Sequence, residues 1–87
     1  MTIEETRRAY AQIAKDGGMS IAELNKLCKA VAFDNCCEEP TCPTSWLFTA
    51  MEGIALYTAE ERVALVDHYE CYLVEEKPFE GYSTEYI

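Results

Sequence analysis

The stretch TIEETRRAYAQIAKDGGMSIAELNKLCKAVAF, residues 2–33, decides how this chain folds. It contains two helix starts and one helix stop. Thr2 stands three residues before Glu5, and Ser20 three before Glu23. A hydroxyl and a carboxylate at that spacing cap each other's backbone N–H groups at the start of a helix. Between them lie Gly17 and Gly18, the residue type that most easily takes the left-handed turn closing a helix. At about 100° per residue, Ile3, Thr6, Ala9, Tyr10, Ile13 and Ala14 fall on one side of the first segment, opposite Arg8, Gln12 and Lys15. Ile21, Leu24, Leu27, Cys28 and Val31 form a similar arc in the second, about Ile21 to Phe33. The short Gly-Gly-Met-Ser link predicts an antiparallel helical hairpin. Cys28, between Leu24 and Val31 on the stripe, reads as a buried core thiol.

Downstream, DNCCEEPTCP (34–43) stops the second helix, because Pro40 and Pro43 cannot continue it. The segment TSWLFTAMEGIALY (44–57) is apolar on nearly every side, with Trp46, Leu47, Phe48, Met51, Ile54 and Leu56 on several faces. That pattern predicts a central buried helix, weakened near Gly53. A third capping box, Thr58 with Glu61, opens a last helix expected from about Ala59 to Glu76, ahead of Pro78. Its expected core stripe is Val63, Val66, Tyr69 and Leu73, widened by Leu65 and Tyr72. The fold class is therefore all-α: one small four-helix domain over residues 1–77, followed by an aromatic and acidic tail over 78–87.

Charge sets the class of partner. The 87 residues carry seven basic and sixteen acidic side chains, a formal net of −9. Direct binding to nucleic acid is disfavoured, since it needs clustered Lys and Arg against the phosphates. A partner with a basic surface, itself a nucleic-acid binder, suits the sign. Residues 1–43 hold five basic and seven acidic groups, whereas residues 44–87 hold two and nine. The candidate contact residues therefore lie in the last helix and tail: Glu60, Glu61, Asp67, Glu70, Glu75, Glu76, Phe79, Glu80, Tyr82, Glu85 and Tyr86. The start, MTIEETRRAY, lacks the apolar run of a secretory signal, and no stretch reaches the roughly 20 apolar residues of a membrane span. The five cysteines, an odd number, are thus expected reduced, in a cytoplasmic setting.

Cysteine and histidine supply the one constellation with chemical content. His68 and Cys71 are three apart on the expected last helix, on neighbouring turns of one face and opposite the Val66/Leu73 stripe. The Pro-bounded loop offers Cys36, Cys37 and Cys42. Folded over that face, it completes a Cys37, Cys42, His68, Cys71 set for a structural zinc, with Cys36 as the alternative ligand. Such a site closes all four positions and leaves none for a substrate water. The alternative is a set of free thiols beside an exposed histidine. Nothing else suggests catalysis: there is no phosphate-cradling glycine loop, and Glu60 and Glu61 point to different sides of a helix.

Small size, strong acidity and the lack of catalytic residues make the chain resemble phage-encoded anti-CRISPR proteins, including inhibitors of Cas9-type effectors. The resemblance is one of overall character, without a shared motif, so it transfers no site residue. It implies a non-enzymatic inhibitor in the host cytoplasm that binds a CRISPR effector and blocks DNA recognition, loading or cleavage. Two other readings stand beside it: a zinc-stapled adaptor of a larger assembly, and a helix-turn-helix regulator, for which the second helix offers only Lys26 and Lys29 and which the net charge opposes.

Overall fold

The computed structural model describes residues 2–35 and 43–72, which form four α-helices and no strand. They are α1 (Ile3–Asp16), α2 (Ile21–Asp34), α3 (Pro43–Leu56) and α4 (Ala59–His68), followed by a 3-10 turn at Glu70–Tyr72. All three capping boxes form. Thr2, Ser20 and Thr58 each accept a hydrogen bond from the backbone N–H three residues on, and the partner glutamate returns one. Hydrogen bonds from Thr2 and Ser20 hold the Glu5 and Glu23 carboxyls below the ordinary carboxylate range.

The α1–α2 turn closes as the glycines require. Gly18 sits at φ 68°, with Gly18 N–H donating to Lys15 O and Met19 N–H to Ala14 O. This bond pair is the Schellman arrangement, which satisfies two helix-end carbonyls and needs a residue free of a Cβ at the left-handed position. Gly17 has a different reason to be glycine: a Cβ there would meet Ile54 Cδ1 at 3.0 Å, so the turn lies directly on α3.

The keel of the bundle is α2, which touches each of the other three helices. It buries eight of its fourteen residues, including Leu24, Asn25, Leu27, Cys28, Lys29 and Val31. The expectation of α3 as a fully buried central helix is corrected. Trp46, Ala50 and Gly53 face inward and are buried, while Phe48, Met51 and Leu56 are exposed. An apolar run on every face is not fully covered by the three other helices among the described residues. Gly53 does not break α3. A Cβ there would lie 3.2 Å from Leu27 and Val31, so glycine lets α3 settle closely onto α2.

The last helix is also revised. It ends at His68, and Tyr69 caps it. The expected continuation to Glu76 is replaced by the 3-10 turn through Tyr72, and Leu73 onward lies outside the described residues. Two features stop it: His-Tyr-Glu-Cys-Tyr is mostly of low helix propensity, and Tyr69 is tied to the end of α2. The Tyr69 hydroxyl donates to Asp34 Oδ1 (3.2 Å), and its ring stacks on Phe33 with centroids 6.1 Å apart. Tyr57 donates to the other oxygen of the same carboxylate (2.8 Å). Asp34 thus clamps the α3–α4 corner and the end of α4 together. No α4 residue is fully buried; Arg62, Leu65, Val66 and Tyr69 are half-buried on one arc, and Val63 is exposed. The Val63, Val66, Tyr69 stripe read from the sequence is therefore rotated, with Arg62 taking the inner place given to Val63.

At the centre lies a polar node. Tyr10 and Trp46 are 0 % exposed and Asn25 is 6 %. The Tyr10 hydroxyl donates to Asn25 Oδ1 (2.6 Å) and accepts from Trp46 Nε1 (2.7 Å). Trp46 Nε1 also lies 3.2 Å from Asn25 Oδ1. The indole can only donate, so Asn25 must present its oxygen here and not its amide nitrogen. One oxygen therefore joins α1, α2 and α3. Asn25→Ala is expected to deprive the buried Tyr10 hydroxyl of its close oxygen acceptor and the Trp46 N–H of one of its two, and to destabilise the fold by about 2–3 kcal/mol. In a domain this size that lowers Tm by roughly 10–20 °C, read by thermal circular dichroism. A change within a few degrees of the parent protein would show that the node carries little of the stability.

Candidate functional site

The strongest functional candidate is the outward face of α4. Its half-buried arc packs Leu65 and Val66 against the core, which turns Glu60, Val63, Ala64 and Asp67 to solvent. Glu60, Val63 and Asp67 stand at helical spacings of three and four, and so lie on one face. Val63 is 62 % exposed, an apolar side chain framed by two carboxylates. Glu70 continues the acidic surface into the 3-10 turn.

Four of the contact residues expected from the sequence can be placed, and all are exposed: Glu60, Glu61, Asp67 and Glu70. Glu61 is not free for a partner, because its Oε1 accepts the Thr58 N–H in the capping box (3.0 Å). Glu75, Glu76, Phe79, Glu80, Tyr82, Glu85 and Tyr86 lie outside the described residues. Sequence reasoning missed Val63 as a surface anchor, because its spacing to Val66 fits a core stripe. The signal that could have found it is Arg62. Turning the helix to set the aliphatic stem of Arg62 against the protein moves Val63 outward.

Of the proposed metal ligands, His68 and Cys71 are placed and both are exposed, off the core as the helical wheel indicated. They no longer share one continuous helix, since α4 ends at His68 and Cys71 sits in the 3-10 turn. The His68 ring meets Tyr69 edge-on at 4.8 Å. Cys36, Cys37 and Cys42 lie outside the described residues, and among those described no three potential ligands cluster.

Cys28 is the core thiol its place on the stripe implies. It is 0 % exposed, 3.5 Å from the Tyr10 hydroxyl and 3.7 Å from Trp46 O. Burial pushes its pKa from 9.0 up to about 12, offset in part by the bond to Tyr10. A thiol held neutral is a poor nucleophile. With iodoacetamide near neutral pH, Cys71 is expected to be alkylated in the native protein while Cys28 reacts only after unfolding, as read by peptide mass mapping. Equal native labelling of both would refute the buried assignment. The pH dependence follows from the same shift. Above about pH 9 the unfolded chain releases a proton that the folded chain retains until about 12. The contribution is thus intact below pH 9 and is lost as pH rises, at up to about 1.4 kcal/mol per pH unit. Cys28→Ala should flatten the alkaline fall in a denaturant series; an unchanged slope would contradict it.

Comparison of the chain with known protein families, with curated proteins and with solved structures yields no match.

Proposed function

We propose that this chain is a non-enzymatic protein–protein inhibitor whose acidic α4 face occupies a basic, nucleic-acid-binding surface of a larger protein. The observation that supports the reading is the arrangement of Glu60, Val63 and Asp67 on one exposed face, with Glu70 beyond it. Carboxylates on a rigid helix can stand in for backbone phosphates, and the net charge of −9 steers a basic partner over longer distance. An exposed valine at the middle of such a face supplies the apolar anchor that a purely electrostatic contact lacks. The resemblance to anti-CRISPR proteins makes a CRISPR effector the partner of choice, with its DNA-binding channel as the surface blocked. The helix-turn-helix reading loses support because α2, the helix it sends into DNA, is the most buried element, and Lys29 is only 3 % exposed.

The test is fluorescence anisotropy of labelled target DNA on a guide-loaded CRISPR effector. The parent chain is expected to displace DNA, less effectively as salt rises. A variant combining Glu60→Lys, Asp67→Lys and Glu70→Lys should retain its helical circular dichroism yet need on the order of tenfold more protein for the same displacement. Equal displacement by both proteins would end the electrostatic reading.

A structural zinc is a second proposal, supported by the exposure of His68 and Cys71 away from the core. Completed by Cys42 and Cys37, or by Cys42 with Cys36 in place of Cys37, it fits the adaptor reading equally well. Protein purified without chelator is expected to carry one zinc per chain by mass spectrometry, and to lose roughly 10 °C or more of Tm in strong chelator. Metal-free protein with an unchanged melt would remove zinc from the account.

A further inference from the structure

A concave feature adjoins the acidic α4 face and shares Val63 and Asp67 with it. Between α2 and α4, closed at one end by the Gly17–Gly18 turn, lies a cavity of about 380 Å³. That volume falls in the range of small-molecule sites, roughly 300–1,000 Å³. Met19, Leu27, Val63 and Val66 supply apolar wall. Arg62 and Asp67, both on α4, also line it. Nε and Nη1 of Arg62 are buried and have no hydrogen-bond partner. Asp67 is exposed, and Arg62 does not pair with it. The other acid in the lining, Glu23, is engaged at the α2 N-terminus, where its Oε1 accepts the Ser20 N–H.

Buried guanidinium N–H groups without an acceptor are costly, and the cost is relieved when the Arg62 side chain turns into the groove and meets a ligand oxygen there. In a chain of net charge −9 a simple carboxylate is repelled at long range. Of the four charged groups in the lining, Glu23 and Lys26 are engaged in other interactions, which leaves the cation Arg62 and the anion Asp67, five residues and so about 7.5 Å apart along the helix axis. The ligand that matches both is neutral overall and carries a separated pair of charges.

We infer that this groove binds a free α-amino acid with an aliphatic side chain. Its carboxylate accepts from the Arg62 guanidinium, its ammonium donates to the Asp67 carboxylate, and its side chain lies against Leu27 and Val66. No covalent step is involved. The site needs no partner protein, so it is tested on the chain alone, separately from the inhibitor reading.

The experiment is an NMR titration of the full isotope-labelled chain with L-leucine, following the Leu27, Val63 and Val66 methyl groups and the Arg62 Nε–H. Saturable shifts of these resonances are expected. N-acetyl-leucine lacks the ammonium and leucine amide lacks the carboxylate, so each should bind about tenfold more weakly. Arg62→Gln should weaken leucine binding to a similar degree. Asp67→Asn, at an exposed position where folding is not at stake, should do so as well and keeps the test valid if the Arg62 variant misfolds. Shifts that never saturate, or N-acetyl-leucine binding as well as leucine, would overturn the proposal, as would an Asp67→Asn variant with parental affinity.

Discussion

The Asn25 side-chain oxygen accepts the Tyr10 hydroxyl and lies within reach of the Trp46 indole N–H, so three helices converge on one buried acceptor. Apolar packing alone leaves helices free to slide and rotate, because hydrophobic burial is not directional. Buried donors served by a few fixed acceptors are less forgiving, since rotation of α1 or α3 pulls them off those acceptors in a dry interior. The node therefore fixes which faces of α1 and α3 point at α2. Once Trp46 is held inward, Phe48 and Met51 must lie toward solvent, and Gly53 comes to rest against Leu27 and Val31.

The same restraint reaches α4 indirectly. With α2 and α3 locked, the α3–α4 corner is held by Tyr57 and the end of α4 by Tyr69, both donating to Asp34. That shared acceptor also raises the Tyr57 pKa, because the tyrosine donates to a carboxylate that favours its neutral form. The clamp is exposed and correspondingly weaker than the node. It positions α4 without burying it, and leaves the helix with one arc on the core and one acidic arc free. The surface available for recognition is thus a consequence of how little apolar area α4 contributes. The groove between α2 and α4 has the same origin, for a helix resting on Leu65 and Val66 does not fill the space beside Leu27.

Much of this was legible in the residues. The capping boxes at Thr2, Ser20 and Thr58 set three helix starts, and Gly17–Gly18 set the first stop. These signals are local, so tertiary context could not override them. The all-α class and the buried Cys28 followed from periodicity in the same way. What the sequence concealed was non-local. No local pattern marks Asn25 or Lys29 as buried, and nothing nearby in the chain shows that Tyr10 and Trp46 converge on Asn25 from fifteen and twenty-one residues away. The exposure of Phe48, Met51 and Leu56 is concealed for a related reason: an apolar run identifies a helix that could be buried, while the number of neighbours decides how much of it is. On α4 the exposed acids were foreseen, but the rotation that brings Val63 among them depends on the long stem of Arg62, which counts as polar in any hydropathy pattern.

Native-state hydrogen exchange, following the Trp46 indole N–H beside the backbone amides of α2 and α4, tests the account most directly. If the node holds the bundle, the indole proton and the central α2 amides exchange only through global unfolding, with one shared free energy and one shared denaturant dependence. The α4 amides then exchange faster, through local opening that leaves the node intact. An indole proton that exchanges as freely as the α4 amides would show that the three helices are held by apolar packing without the buried acceptor at their centre.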